Sequence, residues 1–124
     1  METLEIHTFA TFNGFYPCEK VTFLVTFALQ VVNVWKFGKG KDKNRLTLKQ
    51  ALFGHTEAVT CLTVSSAYNV IVSGSRDRTC IIWDLTQLVF VRQLRGHAAP
   101  VAAVYINELT VLVLSFIDSF QIFP

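Results

Sequence analysis

A four-residue motif that returns at a fixed distance limits how this chain can fold. Residues 52–55 (Leu-Phe-Gly-His) recur as residues 94–97 (Leu-Arg-Gly-His), so the two Gly-His pairs lie 42 residues apart. A period of about 40 residues is typical of chains built from stacked structural units, each of which buries its apolar face against the next. The sequence therefore predicts a repeat protein.

Between the two motifs the residues predict four short strands. Alternating and β-branched residues favour strands over residues 58–64, 70–75, 79–84 and 88–94. Turn-forming residues lie in the gaps at 67–69 and 76–78. The unit from Gly54 to Leu94 is therefore predicted to be a four-stranded antiparallel meander with short connections.

The spacing of six residues in this unit resembles that of the WD40 repeat, in which a Gly-His pair is followed by a Trp-Asp pair near the end of the third strand. These residues are Gly54, His55, Ser73, Asp77, Trp83 and Asp84. In that family a His, a Ser, an Asp and a Trp form a buried hydrogen-bonded chain, so the resemblance implies a structural tetrad of His55, Ser73, Asp77 and Trp83. Ser75 lies on the same strand face as Ser73 and is the alternative source of the hydroxyl.

The upstream segment follows this pattern only in part. Trp35 matches Trp83, but Leu29 stands where the Asp is expected and Lys36 follows the Trp. The polar chain is therefore predicted to be missing there. His7 lies 28 residues before Trp35, the separation found in the second unit, but no Gly precedes it.

The downstream segment restarts the repeat over residues 95–110 and then loses it, because residues 111–124 contain no Trp. These last residues form either two poor strands or a sequence foreign to the family, and the second alternative is favoured. The expected division is a degenerate blade with a basic inter-blade loop (1–48), a complete WD40 blade (49–94), and the start of a next blade with a divergent tail (95–124). The predicted fold is all-β: a partial, unclosed WD40 propeller of about two to three four-stranded antiparallel blades.

Within the WD40 proteins, residues 48–55, 72–85 and 94–97 are similar to the C-terminal propeller of BEACH-domain proteins, above all the autophagy-linked group with WD repeats and a FYVE domain. The resemblance implies a non-enzymatic protein-interaction scaffold for selective autophagy or vesicle trafficking, without a cofactor. It implies a cytoplasmic location, at autophagic or endosomal membranes through the full-length protein. Partners would be autophagy components or cargo adaptors, with the rest of a propeller supplied in cis or trans. Membrane binding does not carry over, because the BEACH and FYVE domains are not in this sequence.

Composition excludes some functional classes. Hydrophobic residues make up 52% and charged residues 16%, which indicates a buried core rather than a disordered chain. The net charge of +2 does not indicate a nucleic-acid partner. Cys18, Cys61 and Cys80 have no CxxC spacing, so neither a disulfide framework nor a metal site is predicted. The apolar run 21–35 is interrupted by polar residues and too short to span a bilayer.

Two alternative functions rest on other residues. Ser73, His55 and Asp77 have the residue types of a nucleophilic triad, so a small hydrolase is one alternative, and solvent access to the Ser73 hydroxyl discriminates it. The other is a nucleic-acid or phosphate binder, which would use the basic residues Lys36, Lys39, Lys41, Lys43 and Arg45. A solvated loop between blades is preferred for that segment, and no catalytic residue is assigned. Arg76 and Arg78, which flank Asp77 in the predicted turn, are weak candidates for partner contact.

Overall fold

The computed structural model describes residues 9–15, 20–38, 41, 45–107, 112–116 and 120–123, and the side chains of residues 23–38, 41 and 45–106. The described residues form three antiparallel sheets that follow chain order. The first sheet contains β1 (Phe9–Phe15), β2 (Lys20–Ala28), β3 (Val31–Phe37) and β4 (Leu46–Leu52); the second contains β5 (Val59–Ser65), β6 (Val70–Ser75), β7 (Cys80–Asp84) and β8 (Phe90–Leu94); the third contains β9 (Ala103–Asn107), β10 (Leu112–Phe116) and β11 (Phe120–Phe123). The predicted all-β fold of unclosed antiparallel blades is confirmed.

The second sheet is apolar on both faces because each face packs against a neighbouring sheet. Side chains alternate between faces along a strand, so Ile71 and Ser73 lie on one face and Val72 and Gly74 on the other. One buried cluster joins the first and second sheets, through Phe23, Val25, Phe27, Val32, Val34, Leu52, Val59, Leu62, Ile71, Ile81, Trp83, Leu85 and Leu88. Another joins the second and third sheets, through Val72, Cys80, Leu94, Val101 and Ile106. The core therefore lies between the sheets, which accounts for the apolar composition.

One backbone hydrogen bond recurs at both boundaries between sheets. The Val59 amide donates to the Leu29 carbonyl at 2.7 Å, and the Val101 amide donates to the Ser75 carbonyl at 3.0 Å. Each donor stands four residues after the His of a Gly-His pair. Each acceptor lies where the second strand of the preceding sheet turns into the third. The donors of this sheet-to-sheet contact therefore recur with the 42-residue period of the sequence.

The second and third sheets approach each other closely at Gly74. A Cβ atom at this position would lie 2.6 Å from Val101 Cγ1 and 2.7 Å from Cys61 Sγ. Both distances are well inside van der Waals contact, so the position accepts no side chain without displacement of its neighbours.

The basic segment was expected to connect two blades, and this prediction is wrong. Strand β4 pairs with β3, with Leu52 opposite Val32 and Leu46 opposite Phe37. The Gly38 amide donates to the Arg45 carbonyl at 2.7 Å. The basic segment therefore joins two paired strands of the first sheet and not two sheets. The cause is that the sequence motif and the sheet are offset by one strand. The strand directly before each Gly-His pair, β4 or β8, is the last strand of the preceding sheet.

The divergent tail takes part in the third sheet. Strand β10 pairs with β9, and β11 pairs with β10. The tail thus forms two strands, the alternative that was not favoured, because a run of apolar residues such as 112–114 can pair without any Trp. Asp118 and His7 lie outside the described residues. Within the described part of the chain, no helix is long and apolar enough to cross a membrane.

Replacing Gly74 by Ala is expected to lower the free energy of unfolding by about 1 to 3 kcal/mol, because the new methyl group must displace Val101 or Cys61. Urea unfolding of the full chain, followed by circular dichroism, measures the change. Val101→Ala makes room on one side, so the double variant should lose less stability than the two single variants added together. Simple additivity would contradict the close approach.

Candidate functional site

A chain of polar side chains crosses the second sheet and ends in its core. The Trp83 indole Nε1 donates to Ser73 Oγ at 2.9 Å. The same Ser73 oxygen lies 2.8 Å from His55 Nε2, and His55 Nδ1 lies 3.0 Å from Asp77 Oδ2. A carboxylate only accepts hydrogen bonds, so Nδ1 carries a proton, and in a neutral imidazole Nε2 then accepts from the Ser73 hydroxyl. The structure thus brings together all four residues that the sequence singled out.

Asp77 anchors the outer end of this chain. Its Oδ2 accepts from the Thr56 amide at 3.0 Å, in addition to His55. Its Oδ1 accepts from the Thr79 amide at 2.9 Å and from the Thr79 hydroxyl. Burial alone would raise the pKa of the Asp77 carboxyl, but the hydrogen bonds from Thr79, Thr56 and His55 together lower it below its ordinary value.

Ser75 has a different set of partners from Ser73. Its Oγ lies 3.0 Å from the carbonyl oxygens of both Glu57 and Ala58, and it accepts from the Asp77 amide at 3.1 Å. Ser75 therefore ties the segment after the Gly-His pair to the turn that carries Asp77. Both hydroxyls are fully buried, and the structure places Ser73, not Ser75, beside His55 and Trp83.

Gly54 allows the segment between β4 and β5 to pass close to the Trp83 ring. A Cβ atom at Gly54 would come within 3.0 Å of both Trp83 Cη2 and Ile81 Cδ1. The same indole also packs against Phe90 in a T-shaped arrangement, with ring centroids 6.1 Å apart and planes at 89°. Trp83 is therefore fixed by packing as well as by its hydrogen bond.

The first sheet keeps part of the polar chain that was predicted to be missing there. The Trp35 indole Nε1 donates to Thr26 Oγ1 at 2.9 Å, and Thr26 is 2% exposed. Thr26 pairs with the residue two positions before Trp35, as Ser73 pairs with the residue two positions before Trp83. The prediction that the polar side chains are missing from the first sheet was therefore wrong for the Trp and hydroxyl members of the network. Leu29 occupies the turn in which the second sheet carries Asp77, so the turn of the first sheet supplies no carboxylate.

Asp84, the Asp of the Trp-Asp pair, acts away from the polar chain. Its Oδ1 accepts from the amides of Thr86 at 2.9 Å and Gln87 at 2.7 Å. The Leu88 amide donates to the Asp84 carbonyl at 2.9 Å and closes the turn before β8. Asp84 therefore shapes the β7–β8 turn, in the manner common for Asp side chains.

The other end of the second sheet carries a groove of about 480 Å³, lined by Thr56, Asp77, Arg78, Thr79, Gln93, Arg95, Gly96 and His97. Arg78 lines it, whereas Arg76, the other candidate for partner contact, is exposed but not among the lining residues. Arg95 was missed by sequence reasoning, since 17 residues separate it from Arg78. Burial lowers the pKa of His97. Arg78 and Arg95 make the groove basic, apart from the carboxylate of Asp77.

The remaining candidate features are the basic segment, the cysteines and possible metal ligands. In the basic segment, Lys41 and Arg45 are exposed and Lys36 is half-buried, whereas Lys39 and Lys43 lie outside the described residues. Burial raises the pKa of the Cys61 thiol, although hydrogen bonds from the Thr60 side chain and the Gly74 backbone act in the opposite direction. Among the residues that the structure describes, no group of His, Cys, Asp and Glu side chains could hold a metal ion.

The repeat in sequence and structure has a counterpart among known families. The family model described as "WD domain, G-beta repeat" matches residues 46–84, which run from β4 to the Trp-Asp pair. The chain is a WD40-repeat protein. Its sheets are blades of a partial WD40 propeller, and the match begins at the last strand of the first sheet, as the offset described above requires.

Several proteins much longer than this chain are similar to it. Over 100 residues, 79% of this chain, it is 44% identical to WD repeat- and FYVE domain-containing protein 4 of Mus musculus. It is 49% identical over 64% of its length to BEACH domain-containing protein A2 of Arabidopsis thaliana, and 47% identical over 55% of its length to the lysosomal-trafficking regulator of Homo sapiens. The resemblance to the WD40 region of BEACH proteins is confirmed. The matches cover only 3%, 2% and 2% of those relatives.

Replacing Ser73 by Ala is expected to lower the free energy of unfolding by about 2 to 4 kcal/mol, because both Trp83 and His55 lose a buried partner. Urea unfolding of the full chain measures the loss. Ser66 lies in an exposed turn, so Ser66→Ala is a matched control and should change stability by less than about 0.5 kcal/mol. Equal effects of the two substitutions would contradict a stabilising role for the Ser73 hydroxyl.

The lowered pKa of Asp77 predicts that the folded chain loses stability in acid. Because the folded state prefers the carboxylate, the stabilisation is complete above the pKa of an unfolded Asp, about 3.9, and is lost as the pH falls through the lowered value. Urea unfolding at several pH values from neutral into this range measures it. Asp77→Asn removes the titrating group, so the difference between the two chains should shrink in acid, and parallel curves would rule the linkage out.

Proposed function

We propose that this chain is a non-enzymatic protein-interaction scaffold, in which the polar chain of His55, Ser73, Asp77 and Trp83 acts as a structural tetrad. The observation that carries the proposal is that these four side chains bond to one another inside the sheet. A buried polar network whose members are satisfied rigidifies the surrounding structure. The tetrad would hold the loops around Asp77 in one fixed arrangement for display to partners.

The burial of Ser73 argues against the alternative hydrolase. A nucleophilic serine must reach a substrate, whereas Ser73 is 0% exposed and its oxygen already accepts a hydrogen bond from the Trp83 indole. Membership of a repeat family that is known for binding proteins supports the same view. The lack of solvent access to the Ser73 hydroxyl therefore favours the scaffold over the hydrolase.

Partner contact is proposed at the turn that carries Arg76 and Arg78. Both arginines are exposed and are held on either side of the anchored Asp77. Arg is favoured at the energetic centres of protein interfaces because its guanidinium makes several directed hydrogen bonds. The similarity to the lysosomal-trafficking regulator and to a FYVE-domain relative supports a role in vesicle trafficking, and more narrowly in selective autophagy.

The proposed setting follows from the same relatives. The chain would act in the cytoplasm, at autophagic or endosomal membranes through a full-length protein, and would bind autophagy components or cargo adaptors. Further blades, in cis or in trans, would cover its open sheet faces. Neither nucleic-acid binding nor membrane insertion is part of this function.

Two assays on the full chain test the proposal. A fluorophosphonate probe is expected to leave Ser73 unmodified, and cross-linking in cytosolic extract is expected to capture proteins whose yield falls several-fold in the variant with Arg76→Gln and Arg78→Gln. Arg92→Gln, on the exposed outer strand β8, is the matched control. Modification of Ser73 would favour the hydrolase. Capture of oligonucleotides that ends when Lys39, Lys41 and Lys43 are neutralised would favour the nucleic-acid binder.

A further inference from the structure

The same two positions of the fold carry different chemistry in the first and second sheets. Leu29 and Arg78 each stand two residues before the third strand of their sheet, and both have positive φ angles, 52° and 70°. Phe53 and Arg95 each stand directly before a Gly-His pair. One sheet end therefore presents an apolar pair, and the equivalent end of the next sheet presents a basic pair.

The apolar pair is unusually open to solvent. Leu29 is 77% exposed and Phe53 is 72% exposed, although burial of either side chain would be favourable by about 1.5 to 3 kcal/mol. Both lie at one end of the first sheet, since the β2–β3 turn and the end of β4 meet there. Exposed large apolar side chains that cluster in this way mark surfaces for binding.

The basic pair lies in the groove and keeps its charge. Gln93 Oε1 accepts from Arg95 Nε at 3.2 Å and from Nη2 at 2.9 Å, which orients the guanidinium without neutralising it. Gln93 is held in turn, because its Nε2 donates to Thr79 Oγ1 at 3.2 Å. Within the described residues, no carboxylate forms an ion pair with Arg78 or Arg95.

Asp77 offsets only part of this charge, because two arginines and one carboxylate line the groove. Both of its oxygens already accept hydrogen bonds, from Thr79 on one side and from His55 and Thr56 on the other. The groove therefore offers free guanidinium N–H groups and an excess of positive charge. Such a site fits an acidic side chain, which an arginine binds through two parallel hydrogen bonds.

The two pairs are close enough to act on one ligand. Thr56 lines the groove and follows Phe53 by three residues, so their Cα atoms lie within about 10 Å of each other. A similar length of extended peptide, three or four residues, bridges that distance. The concave shape of the groove favours an inserted side chain over a flat membrane surface.

We propose that these two neighbouring sheet ends bind an extended segment of a partner protein. Acidic side chains of the segment would lie in the groove at Arg78 and Arg95, and large apolar side chains would pack against Leu29 and Phe53. The proposal rests on the scaffold function above and specifies its partner by chemistry. The shortest segment that this surface recognises would contain an acidic residue and an apolar residue three or four positions apart.

The test is fluorescence anisotropy of the full chain with three labelled 12-residue peptides. One carries Glu-Glu followed three residues later by Leu-Phe; the second has Lys-Lys in place of Glu-Glu; the third has Ser-Ser in place of Leu-Phe. The first peptide is expected to bind, with affinity reduced at least tenfold by Arg95→Gln and severalfold by Phe53→Ser. Arg92→Gln should leave it unchanged. Arg95→Glu should shift the preference toward the Lys-Lys peptide.

Several outcomes would overturn the proposal. Equal affinity for the Glu-Glu and Lys-Lys peptides, or no difference between Arg95→Gln and Arg92→Gln, would exclude the groove. Binding to phosphatidylserine vesicles that depends on Arg95, with no peptide binding, would assign the surface to a membrane. Arg95 takes no part in the earlier cross-linking test. Cross-linking with the single variants Arg76→Gln and Arg95→Gln separates the two proposals: capture that falls with Arg76→Gln but not with Arg95→Gln would contradict this inference alone.

Discussion

The hydroxyl of Ser73 is shared by two buried groups, and the arrangement of the second sheet depends on it. It accepts from the Trp83 indole on one side and contacts His55 on the other. Through His55 the chain reaches Asp77, and through Asp77 it reaches the amides of the two segments that flank the groove. A single oxygen atom in the core is thus coupled to the position of loops at the surface.

The sequence predicted this network better than it predicted the limits of the sheets. The roles of His55, Asp77 and Trp83 were implied by the resemblance of their spacing to the WD40 repeat, since His55 and Asp77 lie outside the strands. The choice between Ser73 and Ser75 did not follow, since both lie on the same strand face and only the path of the segment after Gly-His separates them. The structural role of the tetrad remains a prediction for the stability measurements.

Three features were beyond local sequence patterns. The role of Thr26 was hidden because the β2–β3 turn of the first sheet is shorter than the turn with Asp77, so its spacing to Trp35 does not match the repeat. The place of β4 was misjudged because the motif and the sheet are offset. The groove could not be found, because Arg78 lies between β6 and β7 whereas Arg95 follows β8, and the two meet only after the sheet has formed.

The offset between motif and sheet has a consequence for how such chains change length. Every boundary between neighbouring sheets falls inside a sequence unit, so each unit carries its own joint, including the amide of Val59 or Val101. Duplication or loss of one 42-residue unit therefore adds or removes one layer together with the donor that joins it to its neighbour. Gene rearrangement can thus vary the number of layers while preserving the interfaces between them.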